Sequence, residues 1–218
     1  MNISISNYST LIFDCDGVVL DSNKVKTRAF HQAALLYGKD KAQALVDYHL
    51  VHGGISRYEK FGYFLKHIVG IKEPCEDELN ELLKSYAKEV WEGLATCKIA
   101  CGLRELRKKT SNSRWLLVSG GDQEELRGLF FKREIAHLFD GGIFGSPDDK
   151  EHILKRESEN GNIQRPALFI GDSKYDYLAA TSINLEFIFV TGWSEFGNWI
   201  DFFKDKGIVS VDNIKNLI

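Results

Sequence analysis

"LIFDCDGVVLDSN", residues 11–23, runs an apolar stretch into two aspartates one residue apart, then a glycine, then a third acid. Leu11, Ile12 and Phe13 have the character of a buried strand. Such a strand excludes unpaired charge, because desolvating a carboxylate is costly unless it is paired or holds a metal. Asp14 and Asp16, at its end, therefore need a reason to be there. Strand alternation puts the two on one side with Cys15 opposite, and Gly17 lets the chain turn sharply after them.

Further runs of the same kind follow: "RWLLVSG" (114–120), "GGIFGS" (141–146), "ALFIGD" (167–172), "EFIFVTG" (186–192) and, more weakly, "GIVSV" (207–211). They are continuously apolar rather than alternating, which predicts strands covered on both faces. Helical patterns separate them, at 102–110, 123–135, 150–160 and 175–183. Strand alternating with helix predicts an α/β fold with a parallel sheet. Residues 22–98 break this rhythm. Tyr58, Phe61, Leu65 and Ile68 share one helical face, and so do Leu79, Leu82, Leu83, Tyr86 and Val90, with no convincing strand among them. This segment reads as an all-helical domain inserted after the first strand. Residues 1–21 and 99–218 then form the α/β core.

Composition narrows the function class. The 218 residues are 44% hydrophobic and 27% charged, ordinary for a globular protein, and the formal charge is −3 with no basic or acidic block. Neither a nucleic-acid nor a membrane partner is expected from that balance. No apolar run approaches the roughly 20 residues that span a bilayer, and "MNISISNYST" has no signal-peptide pattern. Cys15, Cys75, Cys97 and Cys101 have no complete metal-site spacing, so free thiols in a reducing cytoplasm are expected. The six histidines are scattered and read as structural or exposed.

In a doubly wound sheet the ligand crevice lies at the carboxyl ends of the strands. The polar residues there are Asp14 and Asp16, Ser119 with Gly120 and Gly121, and Asp172 followed by Asp176, while Lys150 begins a helix after "GSPDD". Carboxylates gathered in one place repel unless a cation sits among them. Oxygen-only ligands suit a hard ion such as Mg²⁺, which also binds substrate phosphate. One carboxylate can attack phosphorus, and another can protonate a leaving oxygen and later activate water. A lysine supplies a point charge, and a hydroxyl with backbone N–H groups can hold phosphoryl oxygens. Asp21 and Ser22 read as capping residues for the helix that follows.

These stretches together resemble the haloacid dehalogenase-like superfamily of phosphohydrolases, in the branch with a helical cap after the first strand. "DCDGVVLDS" is similar to its first motif, "LLVSGG" to its second, "GSPDDK" to its third and "IGDSKYD" to its fourth. The resemblance implies a Rossmann-like core of five to six strands and a Mg²⁺ site. It makes Asp14 the nucleophile and a metal ligand, and Asp16 the general acid/base whose backbone carbonyl also touches the metal. Ser119 and the Gly120 amide become the phosphate clamp. Lys150 becomes the neutralising lysine, Asp172 the acidic metal ligand, and Asp176 a group orienting water or Lys150. Val18 stands where threonine is commoner, Cys101–Gly102 replaces a common Pro-Gly, and the third motif lacks the usual "KPxP".

"HGGISRYEKF" (52–61) resembles the "GxSR" segment of β-phosphoglucomutase-like caps, which makes Arg57 a contact for a second phosphate. Lys26 lies where those mutases carry a histidine, and that departure favours a phosphatase. Asp16 argues against dehalogenases and phosphonatases, which lack the second aspartate. The expectation is a cytoplasmic, Mg²⁺-dependent phosphatase of a small phosphorylated metabolite, a sugar phosphate or phosphoglycolate-like compound, acting through an aspartyl-phosphate. A sugar-phosphate mutase is the alternative. A phosphoacceptor signalling protein or a non-catalytic protein is a weaker one.

Overall fold

All six apolar runs are strands of one sheet in the computed structural model, which describes residues 4–218: β1 (Thr10–Phe13), β2 (Arg114–Asp122), β3 (Gly142–Ser146), β4 (Ala167–Gly171), β5 (Glu186–Val190) and β6 (Val209–Val211). Their order across the sheet is β3-β2-β1-β4-β5-β6, and every pairing is parallel. The order reverses at β1, so the crevice of a doubly wound sheet opens at the carboxyl end of that strand. Phe13, its last residue, lies opposite Leu117 of β2 and Ile170 of β4. The residues just beyond those points are Asp14, Ser119 and Asp172.

The strands are apolar throughout because both faces are buried. Leu11 and Phe13 belong to a core shared with Leu117, Ile170 and Ile188 and with helices α5 (Leu103–Lys109) and α6 (Gln123–Lys132). Ile12 points the other way, into a second core with Val118, Phe169 and Phe189. That core is covered by α7 (Lys150–Glu159), α8 (Lys174–Ser182) and α9 (Trp199–Phe203). Period-2 alternation thus assigns neighbouring apolar residues to opposite sides of the sheet.

Between β1 and α5 the chain builds a helical cap. Its helices are α1 (Asn23–Ala34), α2 (Lys39–Val51), α3 (Arg57–Tyr63), continued by a wider π-type turn over Phe64–Val69, and α4 (Glu76–Thr96). Phe30, Phe61, Leu65, Leu82 and Tyr86 bury the cap's own apolar interior. The chain leaves the core and returns to it side by side. Asp21 N–H donates to Lys98 O at 2.9 Å, Ala100 N–H donates to Val19 O at 2.9 Å, and Leu20 bridges to Ile99. No helix among the described residues is long and apolar enough to cross a membrane.

Candidate active site

Asp14 follows β1 directly, and its N–H continues the ladder to Ile170 O at 2.9 Å. The next turn depends on Gly17. Its φ is +75°, and a Cβ there would stand 2.0 Å from Asp172 Oδ2. Only glycine meets both conditions, a left-handed backbone and direct contact with an acid from the neighbouring strand end.

Asp14, Asp172 and Asp176 each place a carboxylate oxygen within 4.8 Å of the others, and all three residues are buried. Lys150, 1% exposed, reaches into this group from the first turn of α7. Its Nζ stands 2.8 Å from Asp14 Oδ1 and 2.5 Å from Asp176 Oδ1. Asp176 has no capacity left over. Its Oδ2 accepts from the Asp172 and Ser173 N–H groups at 3.2 and 3.0 Å and from Ser173 Oγ at 2.7 Å. Ser173 and Asp176 thereby close a capping box on α8 while Asp176 holds Lys150.

Asp14 is in the opposite condition. Its Oδ1 forms an ion pair with Lys150 but is not aligned for a hydrogen bond, so it remains a buried oxygen without a hydrogen-bond partner. Burial, and then the Asp176 charge, push the Asp14 carboxyl up to about 7. Burial and the Asp14 charge push Asp172 well above the usual carboxylate range. Burial works against the Lys150 charge, but Asp14 and Asp176 raise its pKa. Fully ionised, three carboxylates against one ammonium would carry two excess negative charges in a buried site, which is why Asp14 and Asp172 resist ionisation without a cation. These residues fit a hard divalent cation: the donors are all oxygens, one oxygen is orphaned, and the excess charge matches.

The Asp16 side chain lies outside that cluster. Lys26 of α1 is hydrogen-bonded to its Oδ2, and Ser22 Oγ donates to its Oδ1 at 2.5 Å. Burial alone would raise its pKa, but the Lys26 charge and these two hydrogen bonds hold it below the ordinary value. Ser22 sits at the start of α1 but makes no side-chain cap. The expectation that it caps the helix is corrected, because Asp16 offers its hydroxyl a charged acceptor. Asn23, the first residue of α1, donates to Asp172 Oδ2 at 2.7 Å and to Trp193 O at 2.9 Å. One cap helix therefore touches two of the site's acids.

Ser119 is fully buried within β2, ahead of the glycines that precede its last residue, and its Oγ accepts from Gly121 N–H at 3.1 Å. Gly120 meets the cap: a Cβ there would stand 2.2 Å from Gly54 O, so only glycine allows this approach. Asp14, Asp16, Asp172 and Gly120 line one cavity together with Lys26, Arg57 and other cap residues. Arg57 is engaged across that cavity's rim. Its Nη1 and Nη2 donate to the two Glu125 carboxylate oxygens at 2.8 and 2.7 Å, and Tyr58 OH donates to Asp122 Oδ2 at 2.9 Å. The Arg57 Nε–H is buried without an acceptor. Lys60 and His49 also line this cavity, and sequence reading placed neither of them, nor Ser22 or Asn23, in the site. Only the proximity of Ser22 and Asn23 to the first motif could have drawn attention to the latter two.

Residues 8–184 match the family described as "Hydrolase: haloacid dehalogenase-like hydrolase". No curated protein matches the chain. Among solved structures, β-phosphoglucomutase from Clostridium difficile is 20% identical with a TM-score of 0.73, over 96% of this chain and 93% of that one. A predicted phosphatase from Clostridium acetobutylicum is 19% identical with a TM-score of 0.72, over 96% of each chain. A predicted phosphoglycolate phosphatase from Haemophilus somnus is 17% identical with a TM-score of 0.71, again over 96% of each. At these identities the likeness is one of fold.

Proposed function

The chain belongs to the haloacid dehalogenase-like hydrolases, and on that footing we propose that it is a cytoplasmic, Mg²⁺-dependent phosphatase of a small phosphorylated metabolite. The observation that carries the reading is the buried group of Asp14, Asp172 and Asp176 around Lys150, with Asp14 Oδ1 left free of hydrogen bonds. The free cysteines agree with a reducing compartment.

Asp14 and Asp172 would hold the cation through their side chains and Asp16 through its backbone carbonyl. When bound, Mg²⁺ would neutralise charge on the carboxylates and on the phosphoryl group. Asp14 attacks phosphorus, a carboxylate O–P bond forms, and the bond to the leaving oxygen breaks. Asp16, ionised in the free protein, takes up a proton from solvent as substrate binds and passes it to that oxygen. Water then attacks the aspartyl-phosphate, Asp16 takes the water's proton, and Asp14 is released as carboxylate. Lys150, fixed by Asp176, places a positive charge beside the nucleophile, and Ser119 with the Gly120 amide would hold phosphoryl oxygens. The free-state charge on Asp16, held by Lys26 and Ser22, suits the second half of this cycle.

Residues 22–98 would act as a specificity domain over the core formed by 1–21 and 99–218. Arg57 would serve there as a substrate contact through its unpartnered Nε–H, with Nη1 and Nη2 staying on Glu125. A lysine at position 26, where a mutase of the resembling type carries histidine, favours phosphatase over mutase. A Mg²⁺-supplemented phosphate-release screen over a panel of phosphometabolites tests the proposal. Turnover of at least one monoester, abolished by excess chelator, is expected. Undiminished turnover without divalent metal, or transfer of phosphate between sugar hydroxyls instead of its release, would overturn it.

A further inference from the structure

Lys60, on α3, is 2% exposed yet lines the same cavity as Asp14 and Asp16. Among the described residues it has no carboxylate within ion-pair distance. Its Nζ donates instead to His49 Nδ1 at 2.8 Å. The chain of contacts then runs from His49 Nε2 to Thr27 Oγ1 at 3.1 Å, and from Thr27 Oγ1 to Glu195 Oε2 at 2.7 Å. Glu195 accepts from Thr27, Thr27 accepts from His49, and the remaining imidazole nitrogen accepts from Lys60. This ordering makes His49 neutral and leaves the other Lys60 N–H groups uncommitted. The Nζ also lies 5.3 Å from the centre of the Phe30 ring.

Burial and the nearby Lys26 disfavour an ammonium whose partner is a neutral imidazole, so Lys60 readily gives up its proton in the free site and an arriving anion would restore the charge. Of the other basic side chains on the cavity, Lys26 is paired with Asp16 and Arg57 with Glu125, while Lys174 of α8 is exposed and lies over the Phe202 ring, which leaves Lys60 as the buried one without an anionic partner. Apolar side chains share the lining, Val90 and Leu94 from α4 and Leu126 and Leu129 from α6, together with the acids Asp122, Glu125 and Glu195. One cavity thus combines the aspartates of the candidate site, apolar side chains and a buried cap lysine with no anionic partner.

We propose that Lys60, oriented by His49, binds a carboxylate at the far end of the substrate, so that the preferred substrates are short phosphorylated carboxylic acids. The inference rests on the phosphatase reading for its phosphoryl end. A carboxylate is favoured over a second phosphate because one compact ammonium matches one negative charge. The fork-shaped guanidinium that suits phosphate, Arg57, is already filled by Glu125.

The test separates binding from turnover. Asp14→Asn, with Lys60 intact or with the added substitution Lys60→Met, is titrated calorimetrically with Mg²⁺ and alkyl phosphates of two to four carbons. Each is paired with the same chain ending in a carboxylate and the same chain ending in a second phosphate. With Lys60 present, the carboxylate member is expected to bind at least about tenfold tighter than the plain alkyl phosphate at one chain length, a difference of roughly 1.4 kcal/mol. With Lys60→Met the ratio is expected to fall to within about twofold. Lys60→Gln and His49→Asn read the same ratio should the methionine variant fold poorly. Equal affinities with Lys60 intact, a ratio unmoved by the substitution, or preference for the terminal phosphate would each overturn the proposal. Wild-type turnover of p-nitrophenyl phosphate, measured alongside, reports on the phosphatase reading alone. Loss of that turnover with the binding ratio preserved would fault the catalytic reading and leave the carboxylate site standing.

Discussion

The two aspartates after β1 are separated by one residue, and their surroundings give them opposite electrostatic characters. Asp14 is pushed up to about 7 by burial and then by the Asp176 charge, whereas the Lys26 charge and the Lys26 and Ser22 hydrogen bonds hold Asp16 below the ordinary value against its burial. Asp14→Asn is expected to abolish turnover, because an amide cannot form the aspartyl-phosphate. Asp16→Asn is expected to lose roughly 10²–10⁴-fold in steps that move a proton. With an aryl phosphate, whose leaving group hardly needs one, phospho-enzyme is expected to accumulate on Asp14. Acid quench and mass spectrometry check this, and label on Ser119 or a histidine would refute it. Lys60 gives a second expectation, in stability. Burial first, then the Lys26 charge, with Lys150 adding to and Asp16 and Glu59 opposing the effect, lower its pKa from 10.5 to about 7. Between those values the unfolded chain binds the proton and the folded chain does not, so this group makes stability rise with pH. Lys60→Met is therefore expected to be more stable than wild type below pH 7, by at least about 2 °C in Tm. The advantage should shrink as pH climbs towards 10.5, and thermal melts across that range measure it. The acids at the strand ends were legible in the sequence because charge beside an apolar run is anomalous. Lys60 and His49 were not, because a lysine or histidine within a helical pattern reads as surface until the packing around it is known.

At the scale of the element, turns carry more of the site than strands do. Gly17→Ala forces both a left-handed backbone and a Cβ 2.0 Å from Asp172 Oδ2. It is expected to lower stability by more than about 1 kcal/mol, and to lower kcat for p-nitrophenyl phosphate by displacing Asp172. Gly62→Ala in α3 and Gly128→Ala in α6 meet nothing within 4 Å and have no left-handed φ. They are expected to be neutral or to stabilise by about 0.4–1 kcal/mol. Denaturant unfolding of the three variants reads the contrast, and a tolerated Gly17→Ala would mean that the turn is not rigid. The strands and most helices were legible because both sheet faces are covered, which leaves unbroken apolar runs between amphipathic stretches. The end of α1 facing the core was misread. Ser22 has the chemistry of a cap, but its hydroxyl finds a carboxylate six residues back in the chain, a contact made only when the turn at Gly17 brings Asp16 round.

For the whole molecule, the excess negative charge in the crevice ties stability to cation binding. Millimolar Mg²⁺ is expected to raise Tm by a few degrees, following the roughly 2.7 kcal/mol gained at a hundredfold excess over Kd. Asp172→Asn is expected to lose most of that shift while remaining folded, because removing one of three crowded acids relieves the free site. Differential scanning fluorimetry with and without chelator measures this, and equal shifts in both proteins would place the ion elsewhere. The order of the sheet has no effect on that charge balance. The paired departure and return of the chain at Leu20 and Ile99 has a different reach. The two ends of the helical segment are already held together by the core, so the entropy of closing that loop hardly depends on what lies between them. Length can be added or removed there without rethreading a strand or moving Asp14. The floor that holds the acids and the helical roof above it are therefore free to diverge at separate rates, and a roof borrowed from a distant relative could be grafted onto this floor at a single seam.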